Sequence, residues 1–244
     1  MTTRRRSIFA DKLLDFPDIA FVDEAAFQHR GRWGEFFRQR IGGAFNGRII
    51  FEVGCFDAAY LVRLAAKHPQ TGFVGLDWKY KALYDGAQRV AGAGLRNIAL
   101  LRGRAQDVRK IFTDGEVDEI WVFHPDPCDG PRELHNRLIA QPFLLDVHHV
   151  LRDESSTLAL KTDHPGYYQW VLGLFDLPAH EKTLARFSVE ACSADFWNDA
   201  GVLAHTCNRA FAGENTTFEA RFIKKRMPIY YVEMRKRKQE RRNP

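Results

Sequence analysis

The sequence predicts an α/β fold in which helices cover both faces of a mostly parallel sheet. Between Arg48 and Phe175, short apolar runs alternate with segments whose apolar residues recur at helical spacing. This alternation is typical of βαβ units. The apolar runs are continuous, as strands buried on both faces require. Since 45% of the residues are hydrophobic, the chain can bury a sizeable core.

Five strands and five helices are predicted in that region. The predicted strands are RIIFEVG, GFVGLD, NIALL, VDEIWVFHP and STLALKTD. The predicted helices are DAAYLVRLAAKHP, KYKALYDGAQRVAGAG, Ala105–Phe112, RELHNRLIAQPFLLDVHHVL and GYYQWVLGLF. Pro69 ends the first helix and glycines end the second. Within the fourth, we expect a disturbance at Pro142.

The segments that flank this region predict simpler additions. Aromatic residues and arginines upstream indicate a short helix around Trp33–Ile41. Downstream, TTFEARFIKKRMPIYYVEMRK suggests two extended pieces, which would form a hairpin at the sheet edge. We therefore interpret 1–46 as an N-terminal extension, 47–235 as one domain and 236–244 as a basic tail.

Charge and cysteine content limit the classes of function. The formal net charge of +5 is modest, but Lys and Arg concentrate at both ends of the chain. Basic ends suit a polyanion such as nucleic acid, or they form solvated tails that aid solubility. The four scattered cysteines form no CxxC pair, so neither a disulfide framework nor a metal site is predicted. No apolar stretch suits a membrane span or a signal peptide, and we expect a cytoplasmic protein.

Mainly acidic side chains follow the predicted strands, and parallel sheets bind ligands beyond the carboxyl ends of their strands. The residues at that edge are Glu52, Gly54, Asp57, Asp77, Trp78, Gly103, Arg104, Gln106, Asp107, His124, Asp126, Asp129, Thr162, Asp163 and His164. The carboxylate of Asp77 suits the two hydroxyls of a ribose, or it caps the next helix. Trp78 beside it offers a surface for an adenine ring.

The turn after the first predicted strand carries only one glycine, Gly54. Nucleotide-binding turns usually hold two or three, because the backbone must approach the ligand closely. Phe56 and Ala58 stand where further glycines would be expected. Pyrophosphate binding is therefore not predicted, whereas a ligand without phosphates, such as S-adenosylmethionine, demands less of this turn.

The tripeptide Pro125-Asp126-Pro127 ends the fourth predicted strand. Proline fixes its own φ and restricts the residue before it, so the backbone around Asp126 is stiff. One interpretation is a carboxylate presented at the edge of the sheet, ready to accept a hydrogen bond or a proton. The other is a rigid turn in which the aspartate only caps the backbone.

These motifs together resemble the bacterial tRNA (guanine-N7-)-methyltransferases. The order FEVG, GLD, NIALLRG, FHPDP, KTD and TTFE extends from about Arg48 to Arg235, and PDP with a distant TxFE is its most specific part. The resemblance implies a Rossmann-like class I S-adenosylmethionine-dependent fold. It also implies S-adenosyl-L-methionine as cofactor, tRNA as partner, and methyl transfer to N7 of a guanine in the variable loop.

The resemblance also implies roles for individual residues. Asp126 would be catalytic and would lie near the methyl donor. The expected cofactor-binding residues are Glu52, Gly54, Asp77, Trp78, Ala105 and Asp126. The expected substrate-binding residues are Arg132, Arg137, Asp163, Thr216, Thr217, Phe218 and Glu219.

Several positions depart from the pattern of that family. Arg104 stands where an adenine-binding acid is expected, Cys128 replaces a Trp, and Gly130 and Thr217 replace lysines. These changes leave two alternatives open: a methyltransferase of the same fold with another substrate, and a non-catalytic RNA-binding relative. Both a monomer and a homodimer are compatible with the sequence.

Overall fold

Parallel strands organise both of the compact units into which the chain divides, 1–112 and 113–244. The computed structural model describes residues 7–130, 132–176 and 186–238. Among these residues, no helix is both long enough and apolar enough to cross a membrane.

The first unit contains four parallel strands in the order β1-β4-β3-β2. The strands are β1 (Ala20–Phe21), β2 (Ile49–Val53), β3 (Gly72–Asp77) and β4 (Ile98–Arg102). The helices are α1 (Ile8–Lys12), α2 (Trp33–Ile41), α3 (Ala59–Lys67), α4 (Tyr80–Gly92) and α5 (Val108–Ile111). Strands β2 and β3 are buried along their whole length, which explains their continuous apolar sequences.

Aromatic side chains fill much of the core of the first unit. Trp33, Phe37, Phe51, Phe73 and Phe112 are fully buried, and the indole N–H of Trp33 donates to the carbonyl of Ile111 at 3.0 Å. The helix α2 is thus a part of the packed unit, since two of these rings belong to it.

The second unit combines parallel and antiparallel pairing. Strand β5 (Glu119–Phe123) runs parallel to β6 (Thr157–Thr162). Strand β8 (Tyr230–Lys236) lies between β6 and β7 (Phe187–Ser193) and is antiparallel to both. Among the described residues of this unit, the helices are α6 (Gln141–Val150), α7 (Pro165–Asp176), α8 (Ala200–Thr206) and α9 (Thr217–Lys224).

A buried network of charged groups joins the strands of the second unit. Arg209 contacts the carboxylates of Glu119 on β5 and Glu233 on β8, both of which are buried. The hydroxyl of Tyr231 also donates to Glu233, at 2.6 Å. Burial alone would raise the pKa of Glu233, but the hydrogen bond from Tyr231 and the charge of Arg209 hold it below its ordinary value. Glu233 therefore remains ionised and paired in the core.

The structure confirms the five predicted strands and corrects one predicted helix. The segment RELHNRLIAQPFLLDVHHVL is helical only from Gln141. Pro142 lies in the first turn of α6. Backbone N–H groups in a first turn have no acceptor within the helix, so a proline there costs no helical hydrogen bond. Pro142 thus begins the helix instead of disturbing it, and a 3₁₀ turn at Leu134–Asn136 precedes it.

The predicted C-terminal hairpin is wrong in its first half. Thr217–Lys224 is the helix α9, because Thr216 and Glu219 form a capping box, in which each side chain binds the backbone N–H of the other. Strand β8 instead pairs in antiparallel fashion with β6 and with Phe187–Ser193, a strand that the sequence did not predict. The boundaries 1–46, 47–235 and 236–244 stay a prediction, and residues 1–6 and 239–244 lie outside the described residues.

Candidate functional site

Asp77 connects two backbone segments at the carboxyl end of β3. Its Oδ2 accepts the N–H of Phe56 at 3.0 Å, and its Oδ1 accepts the N–H of Lys79 at 2.8 Å. The first bond holds the loop after β2, and the second holds the turn that leads into α4. Each carboxylate oxygen can accept a further hydrogen bond, so these contacts are compatible with the predicted binding of a ribose.

The loop after β2 follows a backbone path that normally requires glycine. Gly54 has φ +86°, and the non-glycine residues Phe56 and Ala58 have φ +50° and +52°. Left-handed conformations cost residues with a Cβ roughly 1 kcal/mol or more each. The residues that replace the expected glycines therefore keep a glycine-type conformation, and the bond from Phe56 to Asp77 helps to hold it.

The groups at this edge of the first unit fit S-adenosylmethionine. A Cβ added at Gly54 would meet no atom within 4 Å, so the backbone there borders open space. The side chain of Trp78 is 63% exposed and offers an indole face. Glu52 and Asp77 supply carboxylates, which suit the amino and hydroxyl groups of the ligand. Ala105 begins the 3₁₀ turn that follows β4.

The only thiol in this loop is poorly reactive. Cys55 is buried, and burial raises its pKa well above the ordinary value, with Glu52 adding to the effect. Because the thiolate is the reactive form, burial makes Cys55 a poor nucleophile. Among the described residues, no group of three or more His, Cys, Asp or Glu side chains is arranged to hold a metal ion.

In the second unit, the Pro-Asp-Pro turn presents Asp126 to solvent. Its Oδ1 accepts the backbone N–H of Cys128 at 3.1 Å, so the aspartate does cap its own turn. His124 and Cys128, on either side, have φ +53° and +48°. The residues that flank the turn therefore adopt left-handed backbone conformations, and the side chain of Asp126 between them is exposed.

Arg137 holds this turn from the inside. Its Nε donates to the carbonyl of Pro127 and its Nη2 to Asp129, both at 3.0 Å. The residue is only 8% exposed, and its guanidinium lies against the rings of Tyr167 and Trp170. The sequence predicted that Arg137 binds substrate, but this geometry favours a positioning role. Arg132, the other predicted cation, is exposed.

A histidine connects the turn after β5 to the turn after β6. The Nδ1 of His164 accepts the N–H of Tyr167 at 3.1 Å, and its Nε2 lies 2.5 Å from Oδ2 of Asp129. Because Nδ1 accepts a hydrogen bond, the ring proton lies on Nε2, and Nε2–H donates a hydrogen bond to Asp129. Side-chain contacts thus join the two turns that hold Asp126 and Asp163.

His124 orients Asp163. Its Nδ1 lies 3.3 Å from Oδ1 of Asp163, and its ring is nearly buried beside Phe218 and Phe222. The hydrogen bond from His124 holds the pKa of Asp163 below its ordinary value, although burial opposes the shift. Asp163 is therefore ionised at neutral pH.

The TTFE motif divides into buried and exposed residues. Glu219 is fully buried: its Oε2 accepts the N–H of Thr216 at 2.7 Å, and its Oε1 lies 3.0 Å from Nζ of Lys161, which is also fully buried. The rings of Phe123, Phe196, Trp197 and Phe211 surround that ammonium, with centroids 4.4–5.1 Å away. Thr217 and Phe218 are exposed.

Sequence reasoning missed the role of Lys161. A signal was present, because a lysine inside the apolar run STLALKTD predicts a buried charge that needs an acidic partner. The identity of that partner, 58 positions away in Glu219, follows only from the fold.

Comparisons with known proteins agree with this arrangement of motifs. A family model described as "Putative methyltransferase" matches residues 46–196, well over half of the chain. The chain belongs to this family of methyltransferases. Several relatives bear the name tRNA (guanine-N(7)-)-methyltransferase. The resemblance seen in the sequence is thus confirmed.

Two of these relatives match over most of their length. The protein of Christiangramia forsetii is 28% identical over 88% of both chains, and that of Lactococcus lactis subsp. cremoris is 27% identical over 96% of this chain and 97% of its own. A "Bifunctional glycosyltransferase/methyltransferase" of Fusobacterium nucleatum is 27% identical over 94% of this chain, which spans 33% of that longer protein.

Solved structures support the fold class. The 16S rRNA methyltransferase KamB has a TM-score of 0.57 at 16% identity, covering 83% of this chain and 92% of its own. A 16S rRNA (adenine(1408)-N(1))-methyltransferase from Catenulisporales acidiphilia has a TM-score of 0.54 at 17% identity, covering 85% and 92%. At these identities the likeness shows the fold alone. The predicted Rossmann-like class I methyltransferase fold is confirmed.

Strain in the loop after β2 predicts an unusual order of stabilities. Phe56→Gly should be more stable than Phe56→Ala by roughly 1 kcal/mol, because only the alanine keeps a Cβ at positive φ. Arg63, exposed inside the helix α3, provides the control. There glycine should be less stable than alanine by about 1 kcal/mol. Urea unfolding of the four variants measures both differences, and the same sign at both positions would contradict the assignment of strain.

The contact between His124 and Asp163 predicts that asparagine and glutamine behave differently at position 124. The amide N of Asn reaches the place of Nδ1 and Asn tolerates positive φ, whereas the amide N of Gln reaches the place of Nε2. His124→Asn should keep the low pKa of Asp163, and His124→Gln should raise it. NMR titration of the Asp163 carboxyl carbon measures this pKa. Equal pKa values in the two variants would rule out the positioning role.

Proposed function

We propose that this methyltransferase transfers the methyl group of S-adenosylmethionine to N7 of a guanine in tRNA. The relatives with this activity in their names support the proposal, since two of them match over at least 88% of both chains. The observation that carries it is the exposed carboxylate of Asp126 on a turn that two hydrogen bonds from the buried Arg137 hold in place. A tRNA substrate also favours a cytoplasmic location.

The reaction demands alignment more than acid–base chemistry. N7 of guanine has a lone pair that is already nucleophilic, and bound S-adenosylmethionine supplies an activated methyl group. Holding the guanine in the correct orientation then provides most of the acceleration. This requirement suits a site built from stiff turns, which lose little conformational entropy when the substrate binds.

Asp126 would contact the guanine. Its Oδ1 accepts the N–H of Cys128, and the thiol of Cys128 also forms a hydrogen bond with the carboxylate. Because the side chain is exposed, the carboxylate would still accept hydrogen bonds from the edge of the base and stabilise the positive charge that develops on the ring. The capping role and the catalytic role therefore coexist in one carboxylate.

The remaining predicted residues divide into contact and positioning roles. For binding the substrate we propose Arg132, Asp163, Thr217 and Phe218, which are exposed or partly exposed. Arg137, Thr216 and Glu219 are buried and would position these groups. For binding the cofactor we propose Glu52, Gly54, Asp77, Trp78 and Ala105.

Another substrate is the second candidate. Around the Pro-Asp-Pro turn, Cys128 and Gly130 supply neither an aromatic ring nor a charge, and Arg137 is turned inward. This face of the turn is therefore less basic than a tRNA-binding turn would be expected to be. Incubation with labelled S-adenosylmethionine distinguishes the candidates, since label in a small molecule and not in tRNA would favour the second.

Substitution of Asp126 separates its two roles. Asn at this position can still accept the N–H of Cys128, but it lacks the charge. We expect Asp126→Asn and Asp126→Ala both to lower kcat by about 10²–10³-fold, measured as 7-methylguanosine formed in unmodified tRNA. Glu154→Gln, which removes one exposed acid elsewhere in the same unit, should leave the rate unchanged. A fully active Asp126→Asn would show that the aspartate only caps its turn.

A further inference from the structure

The end of helix α9 carries a concentrated positive charge, which we call the basic turn: Arg221, Lys224, Lys225 and Arg226. All four side chains are exposed, and no acidic residue interrupts the run from 220 to 228. Among the described residues, no carboxylate forms an ion pair with any of them. The basic turn thus presents four positive charges to solvent.

The helix that carries the basic turn is firmly anchored. Its first turn is closed by the capping box of Thr216 and Glu219, and Glu219 pairs with Lys161 near the carboxyl end of β6 in a fully buried contact. On the other side, Phe218 and Phe222 lie against His124, directly after β5. Helix α9 therefore lies at the carboxyl ends of β5 and β6.

That position is the edge of the second unit from which the turns of Asp126 and Asp163 emerge. A cation at the end of a helix also interacts favourably with the helix dipole, but that interaction is confined to the last turn. Arg226 lies beyond the helix and adopts φ +56°. The positive charge of Arg226 therefore lies beyond the last turn, where the helix dipole does not explain it.

Exposed apolar side chains accompany these cations. Phe218 is 41% exposed with the guanidinium of Arg221 against its ring, and Ile223 and Met227 are also exposed. Cations next to an aromatic ring match the chemistry of RNA, in which phosphates alternate with flat bases. Arg137, one of the two arginines that the resemblance implied for binding the substrate, is buried.

We propose that the basic turn binds phosphates of the tRNA backbone and so positions the guanine near Asp126. The inference rests on the proposed function and extends it by naming the surface that holds the RNA. Phosphate contacts fix register and orientation without reading sequence. Their loss should therefore weaken binding and leave the chemical step intact.

Lys224→Gln/Lys225→Gln is the decisive variant, because it removes two charges and spares Arg226 with its positive φ. The binding of unmodified tRNA is measured between 50 and 200 mM salt, with steady-state methylation measured in parallel. Each lost phosphate contact should lower the slope of log K against log[salt] by about 0.9 and weaken binding roughly fivefold near 0.15 M salt. KM for tRNA should rise while kcat stays unchanged.

The control is Arg38→Gln/Arg96→Gln, which removes two exposed charges of the first unit, one on α2 and one just before β4. It should bind and methylate tRNA as the wild type does. If the Lys224/Lys225 variant also keeps the wild-type affinity and salt slope, the inference is overturned and the proposed function stands. If the wild type neither binds nor methylates tRNA while it binds S-adenosylmethionine, both are overturned.

Discussion

Side-chain oxygens bonded to backbone N–H groups fix the turns at the carboxyl ends of the strands in both units. Asp77 holds Phe56 and Lys79 in the first unit, whereas Asp126 holds Cys128 and Thr216 holds Glu219 in the second. Each bond satisfies a donor that would otherwise need water, and each removes freedom from a loop. A site that works by orienting its reactants depends on this rigidity more than on any single reactive group.

The buried pair of Lys161 and Glu219 extends the same constraint to a whole helix. Removing two charges from water is costly, and a buried pair is weak evidence for stability. Its effect here is geometric, because the contact between the Glu219 carboxylate and the Lys161 ammonium fixes the place at which α9 packs against β6. The surrounding aromatic rings favour the cation electrostatically. One polar contact thereby sets the position of Phe218 and of the basic turn.

The parts of the fold that local sequence determines were predictable. Buried strands such as Ile49–Val53 show as apolar runs, and the helix at Trp33–Ile41 has the expected bounds. The pairing of β7 with β8 joins segments far apart in sequence and has no local signature. The family resemblance implied that Arg137 binds the substrate, but the structure buries it. Its burial depends on Tyr167 and Trp170, which only the fold brings to it.

The most direct test of the account is whether a loop that replaces glycines by Phe56 and Ala58 still binds the methyl donor. Isothermal titration of S-adenosylmethionine into the wild-type protein measures this without any substrate. We expect saturable binding at a single site, weakened by Asp77→Asn because its single amide oxygen must serve both Phe56 and Lys79. A folded wild-type protein that shows no saturable binding would contradict the assignment of the cofactor and, with it, the proposed methyl transfer.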